Sequence, residues 1–215
     1  MNEYRTLEML RTMLSLQEAI NHKINIQWRE ARNPWYRAIW TECAELIDHI
    51  GWKWWKKKEP NLEQVKLEII DIWHFGLSAV LEKHESVDAA VSALSAQMPQ
   101  LEKAEAVSAN ELITLVEKLA SKVLETKAFD VDSFAQLMSG AGLSLPDLFT
   151  SYVQKNVLNK FRQDHGYAQG TYLKIWDGRE DNEWLVDLAV GIDSRDLQYS
   201  DLLYSALSEC YKAKA

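Results

Sequence analysis

The sequence contains few of the residues that interrupt helices. Among its 215 residues there are only eight glycines and four prolines, and alternating runs of β-branched residues, which are typical of strands, are scarce. Because glycine and proline are the residues that most disfavour helix interiors, this composition predicts an all-α fold. The hydrophobic fraction of 47% is sufficient for a substantial core, and we expect a single domain over residues 1–215.

Closely spaced cysteines, long apolar runs and a basic surplus are also missing. Cys43 and Cys210 lie far apart and lack the spacing of a metal site, so reduced thiols are expected. No run of 18 or more apolar residues occurs, and the segment MNEYRTLEMLRT lacks the basic and apolar regions of a signal peptide. We therefore expect a cytoplasmic protein without a membrane segment. The net charge of −8 argues against broad nucleic-acid binding, which requires a basic face.

Two pairs of carboxylates are the most informative feature of the sequence. The pairs Glu42/Glu45 and Glu68/Asp71 each have i,i+3 spacing, which places both acids of a pair on one face of a helix. Apolar residues surround both pairs. Acids enclosed in this way are costly unless they bind a cation or pair with another group.

A short connection is predicted between the two pairs. An Asn-Pro pair favours a first helix over 34–50, which Gly51 can end. Pro60 blocks continuation of that helix, and Asn61 followed by Gln64 is typical of the start of a second one. Helices joined by a short connection are usually antiparallel neighbours. In that arrangement the four acids would converge.

Converging carboxylates need a counter-charge or protonation. Two like charges about 4 Å apart repel by about 4 kcal/mol at an effective dielectric constant of 20. A divalent cation is the simplest counter-charge, and ligands that are all oxygen favour Mg²⁺, or else Mn²⁺, over zinc. The alternative is that the acids lie on two solvated helix faces, where i,i+3 pairs are common.

Two further groups of polar residues are candidates for ligand contacts. A helix predicted over 4–23 carries Gln17 and Asn21 on one face, at i,i+4 spacing. Lys56 belongs to a cluster of lysines that follows the first acidic helix. For both groups the alternative is an ordinary solvated surface.

The segment 86–142 has a different composition, rich in Ala, Ser and Leu. Ser86, Ser108 and Asp130 are candidate helix N-caps within it. The segment contains no residues that suggest chemistry, and we interpret it as a helical scaffold.

The segment 144–182 is predicted to form a helix followed by a loop punctuated by glycines. Its polar and basic residues suit closure over an anionic ligand, although a plain surface connection is the alternative. The candidates for contacting such an anion are Lys155, Asn159 and Arg162 on one helix face, with Tyr167 and Lys174 in the loop.

Taken together, these motifs resemble the dimeric all-α dUTPases, a branch of the MazG-like all-α nucleoside-triphosphate pyrophosphatases. The acidic pairs alone are shared by the whole MazG-like group, whereas their combination with the C-terminal block is more specific. The matching stretches are LQEAIN at 16–21, ECAELIDHIGWKWWK at 42–56, EIIDIWHFGLS at 68–78, and NVLNKFRQDHGY and GTYLKIWDGREDN within 156–182.

The resemblance implies Mg²⁺-dependent hydrolysis of dUTP to dUMP and pyrophosphate by a homodimer, with dUDP as a further substrate. It implies that Glu45, Glu68 and Asp71 bind metal. Glu42 would orient or deprotonate the attacking water and would also contact the metal.

The resemblance also assigns roles to the remaining candidates. It implies that Gln17 and Asn21 recognise uracil, while Trp52, His74 and Phe75 wall the base or the deoxyribose, with core packing as the alternative. Phosphate contacts are implied for Lys56, Lys155, Asn159, Arg162, Tyr167 and Lys174. Two other functions stay open: a MazG-like pyrophosphatase for another nucleotide such as dCTP or a modified dNTP, and a non-catalytic helical interaction protein.

Overall fold

The computed structural model describes residues 3–56, 58–97, 104–194 and 198–214. In this part of the chain the structure has nine helices and one two-stranded hairpin, which confirms the prediction of an all-α fold. None of these helices has the length and apolar character of a membrane span. The elements are α1 Glu3–Ile24, α2 Trp35–Ile50, α3 Leu62–Lys83, α4 Val87–Gln97, α5 Ala109–Thr126, α6 Val131–Gly140, α7 Leu145–Asp164, β1 Ile175–Trp176, β2 Arg179–Glu180, α8 Asp181–Val190 and α9 Tyr199–Lys214.

The chain divides into two compact units, Met1–Phe149 and Thr150–Ala215. Each unit buries apolar side chains of its own. The prediction of one domain over residues 1–215 is not tested by this division and stays a prediction.

Helices α2 and α3 lie against each other in the first unit and run in opposite directions. Trp35, at the start of α2, donates from Nε1 to Glu82 Oε1 near the end of α3, at 3.1 Å. His49, near the end of α2, has its Nε2 3.3 Å from Glu68 Oε1 near the start of α3. These crossed contacts confirm the predicted antiparallel pair.

The ends of this helix pair follow the sequence closely. Gly51 caps α2 in the left-handed region at φ 81°, where an added Cβ would lie 2.5 Å from a backbone oxygen. Asn61 caps α3 and accepts a bond from the backbone N–H of Gln64 at 3.2 Å, as predicted. The start of α2 differs from the prediction by one residue. The helix begins at Trp35 because Pro34 occupies the cap position with a non-helical ψ of 65°.

Helix α3 is buried on most of its sides. Trp73 donates from Nε1 to Met13 Sδ of α1 at 3.3 Å and stacks on Phe134 of α6 with ring centroids 4.9 Å apart. The ring of Phe129 also packs closely against α3 at Gly76, where an added Cβ would lie only 2.7 Å from the ring. A polar side chain on such a helix must therefore be paired within the protein or bind a ligand.

The segment 86–142 contains α4, α5 and α6, and its residues 98–103 lie outside the described residues. The side chains of Ser86, Ser108 and Asp130 accept bonds from the backbone N–H three residues later, at 3.2, 3.4 and 2.9 Å. The predicted caps are thus confirmed, whereas the scaffold role of the segment stays a prediction.

The second unit contains most of α7, the hairpin, α8 and α9. Its buried side chains include Phe161 of α7, Trp176 of β1 and Leu207 of α9. The sequence predicted the loop region 166–178 from its glycines, but it did not predict that a hairpin and α8 follow within the same block.

Candidate active site

Three of the four predicted carboxylates lie together where α2 faces α3. One carboxylate oxygen from each of Glu42, Glu68 and Asp71 lies within 4.8 Å of the other two. Glu68 is buried, and the other two acids are half-buried. Oxygen ligands grouped in this way fit a hard divalent cation such as Mg²⁺ or Mn²⁺. Glu45 is exposed and does not belong to this acid cluster, so its role as a metal ligand stays a prediction.

Burial and crowding change the protonation of the acid cluster. Burial, followed by the charges of Asp71 and Glu45, raises the pKa of Glu42 from 4.5 to about 8. Burial and the charge of Asp71 also raise the pKa of Glu68. A hydrogen bond between Glu42 and Glu68 also contributes to these shifts, and such a bond requires a proton on one of the two carboxyl groups. A divalent cation would replace that proton and relieve the repulsion.

The metal-free protein is expected to lose stability as the pH rises from about 4.5 to about 8. The folded state holds the Glu42 proton more tightly than the unfolded state, whose pKa is near 4.5. The folded state therefore binds more protons in this interval, and stability falls with rising pH. Glu42→Gln should remove much of this slope, raising the Tm at pH 8 by about 2–4 °C for each 1 kcal/mol of relieved repulsion. Thermal unfolding in EDTA at pH 6 and pH 8 measures the effect, and equal slopes in the two proteins would contradict it.

His49 contacts the acid cluster, although the sequence prediction did not include it. Its Nε2 lies 3.3 Å from Glu68 Oε1, and its backbone oxygen accepts a bond from Asn61 N at 2.9 Å. A group beside a metal-binding carboxylate commonly fixes the orientation of that carboxylate. His49 follows Glu42 by seven residues, which is about two helical turns. That spacing could have identified it.

A second cluster of polar residues is buried between α1 and α3. Its four members are each less than 10% exposed, and we call them the amide group: Gln17, Asn21, His74 and Ser78. Gln17 Nε2 donates to Asn21 Oδ1 at 3.0 Å and to Ser78 Oγ at 2.9 Å. Asn21 Nδ2 donates to the same Oγ at 3.0 Å. The structure therefore excludes the alternative of two solvated surface amides.

The other two members of the amide group join the same hydrogen-bond network. His74 Nδ1 lies 2.9 Å from Gln17 Oε1, and Ser78 Oγ donates to the backbone oxygen of His74 at 3.1 Å. Ser78 was not a predicted site residue. It follows Asp71 by seven residues and His74 by four, so helical spacing alone could have placed it on the same face of α3.

The remaining residues predicted around the base lie in less enclosed positions. Phe75 is half-buried, with its ring 6.5 Å from that of Trp35. Trp52 is 43% exposed and meets Trp55 edge to face at 5.2 Å between centroids. Lys56 is exposed. Contacts of these residues with a nucleotide stay predictions.

Arg162, in the second unit, is held by a protein carboxylate. Its Nε and Nη2 donate to the two oxygens of Asp181 at 2.7 and 2.8 Å, and Nη2 also donates to Asn182 Oδ1 at 2.8 Å. Asp181 is fully buried and accepts a further bond from Tyr172 at 2.8 Å. The two N–H groups of Nη1 lie outside these bonds, and they are the part of Arg162 that a phosphate could use.

Four other predicted phosphate ligands also belong to the second unit. Lys155 and Asn159 are half-buried on α7, and Tyr167 is 52% exposed. Lys174 forms an ion pair with Glu180 at 3.1 Å. Phosphate binding by these residues and by Arg162 stays a prediction.

Comparison with protein families identifies the family of this chain. The family model described as dUTPase matches residues 9–167, a span that contains the acid cluster, His49 and the amide group. Comparison with curated proteins gives no match. Since the family model covers well over half of the 215 residues, the chain belongs to the all-α dUTPase family, whose members are dUTP diphosphatases, that is, nucleoside-triphosphate pyrophosphohydrolases.

Proposed function

We propose that this protein hydrolyses dUTP to dUMP and pyrophosphate, and dUDP to dUMP and phosphate, with Mg²⁺ as its cofactor and Mn²⁺ as a substitute. Such a reaction would limit the incorporation of uracil into DNA. One observation carries the proposal: α3 presents two members of the acid cluster and two members of the amide group, and all four are at least half-buried. A cation site and a hydrogen-bonding site on one helix suit a ligand with phosphates at one end and a base at the other.

The acid cluster supplies the ligands of the cation. Glu42, Glu68 and Asp71 fit a hard divalent ion because all three offer oxygen and carry more negative charge than a buried site tolerates alone. Glu45 is a further ligand by resemblance. When bound, the cation neutralises phosphate charge and polarises the bond that breaks.

Glu42 has a second role in this proposal. It orients the attacking water and accepts its proton, as the resemblance implies for a carboxylate at this position. Burial is the largest cause of the raised pKa of Glu42, and a bound cation does not undo it. A carboxylate whose pKa is raised toward neutrality is a better proton acceptor than an ordinary one. The proton passes from the water to a Glu42 oxygen as the new P–O bond forms. The bond between the attacked phosphorus and the oxygen bridging the α- and β-phosphates breaks, which separates dUMP from pyrophosphate.

Gln17 and Asn21 recognise the base in this proposal. Uracil offers acceptors at O2 and O4 and a donor at N3, whereas cytosine has an acceptor at N3 and a donor amine at C4. Both amides are 5% exposed, so a mismatched base would leave buried polar groups unpaired. Each unpaired group costs about 1–3 kcal/mol.

Hydrolysis of dUTP with Mg²⁺, followed with and without EDTA, tests the proposed function. We expect turnover that stops in EDTA and returns with excess Mg²⁺, and a dCTP rate at least about 10²-fold lower. Comparable turnover of dCTP and dUTP would favour a MazG-like pyrophosphatase of another specificity. A preparation that hydrolyses no nucleotide would favour a non-catalytic helical protein.

We also propose that the protein is a homodimer, as the resemblance implies, and that it is cytoplasmic, as expected from the sequence. The net charge of −8 is consistent with a small-molecule substrate rather than with nucleic acid as a partner, because broad nucleic-acid binding requires a basic face.

A further inference from the structure

The Ser78 hydroxyl lies at the centre of the amide group. Its side chain is fully buried, so bulk water does not hydrogen-bond to it. Gln17 Nε2 and Asn21 Nδ2 both donate to its Oγ, at 2.9 and 3.0 Å. A single oxygen atom on α3 therefore contacts both amides of α1.

The direction in which the Ser78 hydroxyl donates its proton determines whether the two amides face it with their NH₂ groups or with their oxygens. A hydroxyl has one proton to donate and two lone pairs. Two acceptors lie within reach: the backbone oxygen of His74 at 3.1 Å and Asn21 Oδ1 at 3.4 Å. The shorter bond goes to His74, one turn earlier in α3, as is common for serine in a helix. The Oγ then offers only lone pairs to the amides, and both must turn their NH₂ groups toward it.

This orientation fixes what the amides offer to a ligand. Gln17 donates its second N–H to Asn21 Oδ1 at 3.0 Å. One N–H of Asn21 and one lone pair of its Oδ1 lie outside the bonds described. A donor and an acceptor on one amide match a carbonyl oxygen and the N3–H of uracil. Cytosine shows an amine and an unprotonated N3 at the same edge, which would require the amide to be reversed.

From this geometry we infer that Ser78 is a positioning residue that determines base specificity, because its hydroxyl holds Gln17 and Asn21 in the orientation that accepts uracil and rejects cytosine. The inference rests on the proposed function, since it takes these two amides as the groups that read the base. Without the hydroxyl, the NH₂ group of Asn21 loses its acceptor and this amide can rotate by about 180°, exchanging its oxygen with its nitrogen, whereas Gln17 keeps its contact with His74 Nδ1.

Ser78→Ala tests the inference through the ratio of kcat/KM for dUTP to kcat/KM for dCTP. We expect this ratio to fall by about tenfold or more, the equivalent of one misdirected hydrogen bond. The KM for dUTP should rise, while kcat for dUTP is retained because the acid cluster is unchanged. A merely structural role would lower the amount of folded enzyme without changing the ratio.

Ser133→Ala is the matched control, because Ser133 is a buried serine of α6, 1% exposed, outside the amide group. Its ratio should equal that of the wild type. Ser78→Cys, which keeps a similar volume but has a thiol that accepts only weakly, should lower the ratio as Ser78→Ala does and decides the question if the alanine variant does not fold. A wild-type ratio in a folded Ser78 variant would overturn the inference. A wild-type protein that hydrolyses no dUTP would instead overturn the proposed function on which it rests.

Discussion

Glu68→Gln is expected to reduce dUTP turnover by about 10³-fold, equivalent to about 4 kcal/mol of transition-state stabilisation. Glu68 is the most buried member of the acid cluster, and it contacts both Glu42 and His49. The amide removes one negative charge and places an NH₂ group where a cation requires oxygen. Helical content should not change, because glutamine fills nearly the same volume and relieves repulsion.

Glu63→Gln is the control for this experiment. Glu63 lies in the first turn of the same helix, but it is 82% exposed and pairs with Lys66, so its turnover should match that of the wild type. Binding of Mn²⁺, followed by its paramagnetic resonance signal, gives a readout independent of activity and should weaken in Glu68→Gln alone. Unchanged turnover and unchanged Mn²⁺ binding would contradict the assignment of the acid cluster as the metal site.

The second large effect concerns the stability of the second unit. Asp181→Ala is expected to destabilise it by about 3–5 kcal/mol, because removing one partner of a buried ion pair leaves the other charge without compensation. The side chains of Arg162 and Asp181 are only 14% and 0% exposed. The same change removes the acceptor of the Tyr172 hydroxyl.

Urea unfolding measures this loss, with hydrogen exchange of α8 amides to locate it in the second unit. Asp187→Ala is the control, because Asp187 also pairs with an arginine, Arg179, but is 58% exposed. An exposed pair contributes about 0–1 kcal/mol. Equal, small effects of both substitutions would show that the buried pair does not stabilise the fold.

The antiparallel pair α2/α3 could be predicted because its determinants are local. Gly51 ends α2, and Asn61 caps the start of α3. The connection between them is short, so the second helix packs antiparallel against the first. The cost of burying acids could also be anticipated, since apolar neighbours of the carboxylates are visible in the sequence.

The membership of the acid cluster could not be predicted in full, for a geometric reason. Each residue of an α-helix turns by about 100°, so Glu45 points about 60° away from Glu42, whereas His49 points only about 20° away from it. The structure accordingly leaves Glu45 exposed and brings His49 to Glu68. The i,i+3 rule identifies neighbours on a helix surface but does not say which of them face the next helix.

Contacts between residues that are distant in the sequence could not be predicted from helical spacing. Ser78 contacts residues 57 and 61 positions earlier, and Asp181 binds an arginine 19 positions before it. Neither residue type signals its partner in the sequence. The pairings follow from how helices dock, which periodicity does not encode.

Helix α3 also fixes the distance between the acid cluster and the amide group. Glu68 and Ser78 are ten residues apart on it, which corresponds to about 15 Å along its axis at about 1.5 Å per residue. The helix is buried on most of its sides, so this interval cannot stretch or shrink to suit a different ligand. In the proposed function, a nucleotide must therefore have the correct distance between its base and its phosphates as well as the correct hydrogen-bonding edge.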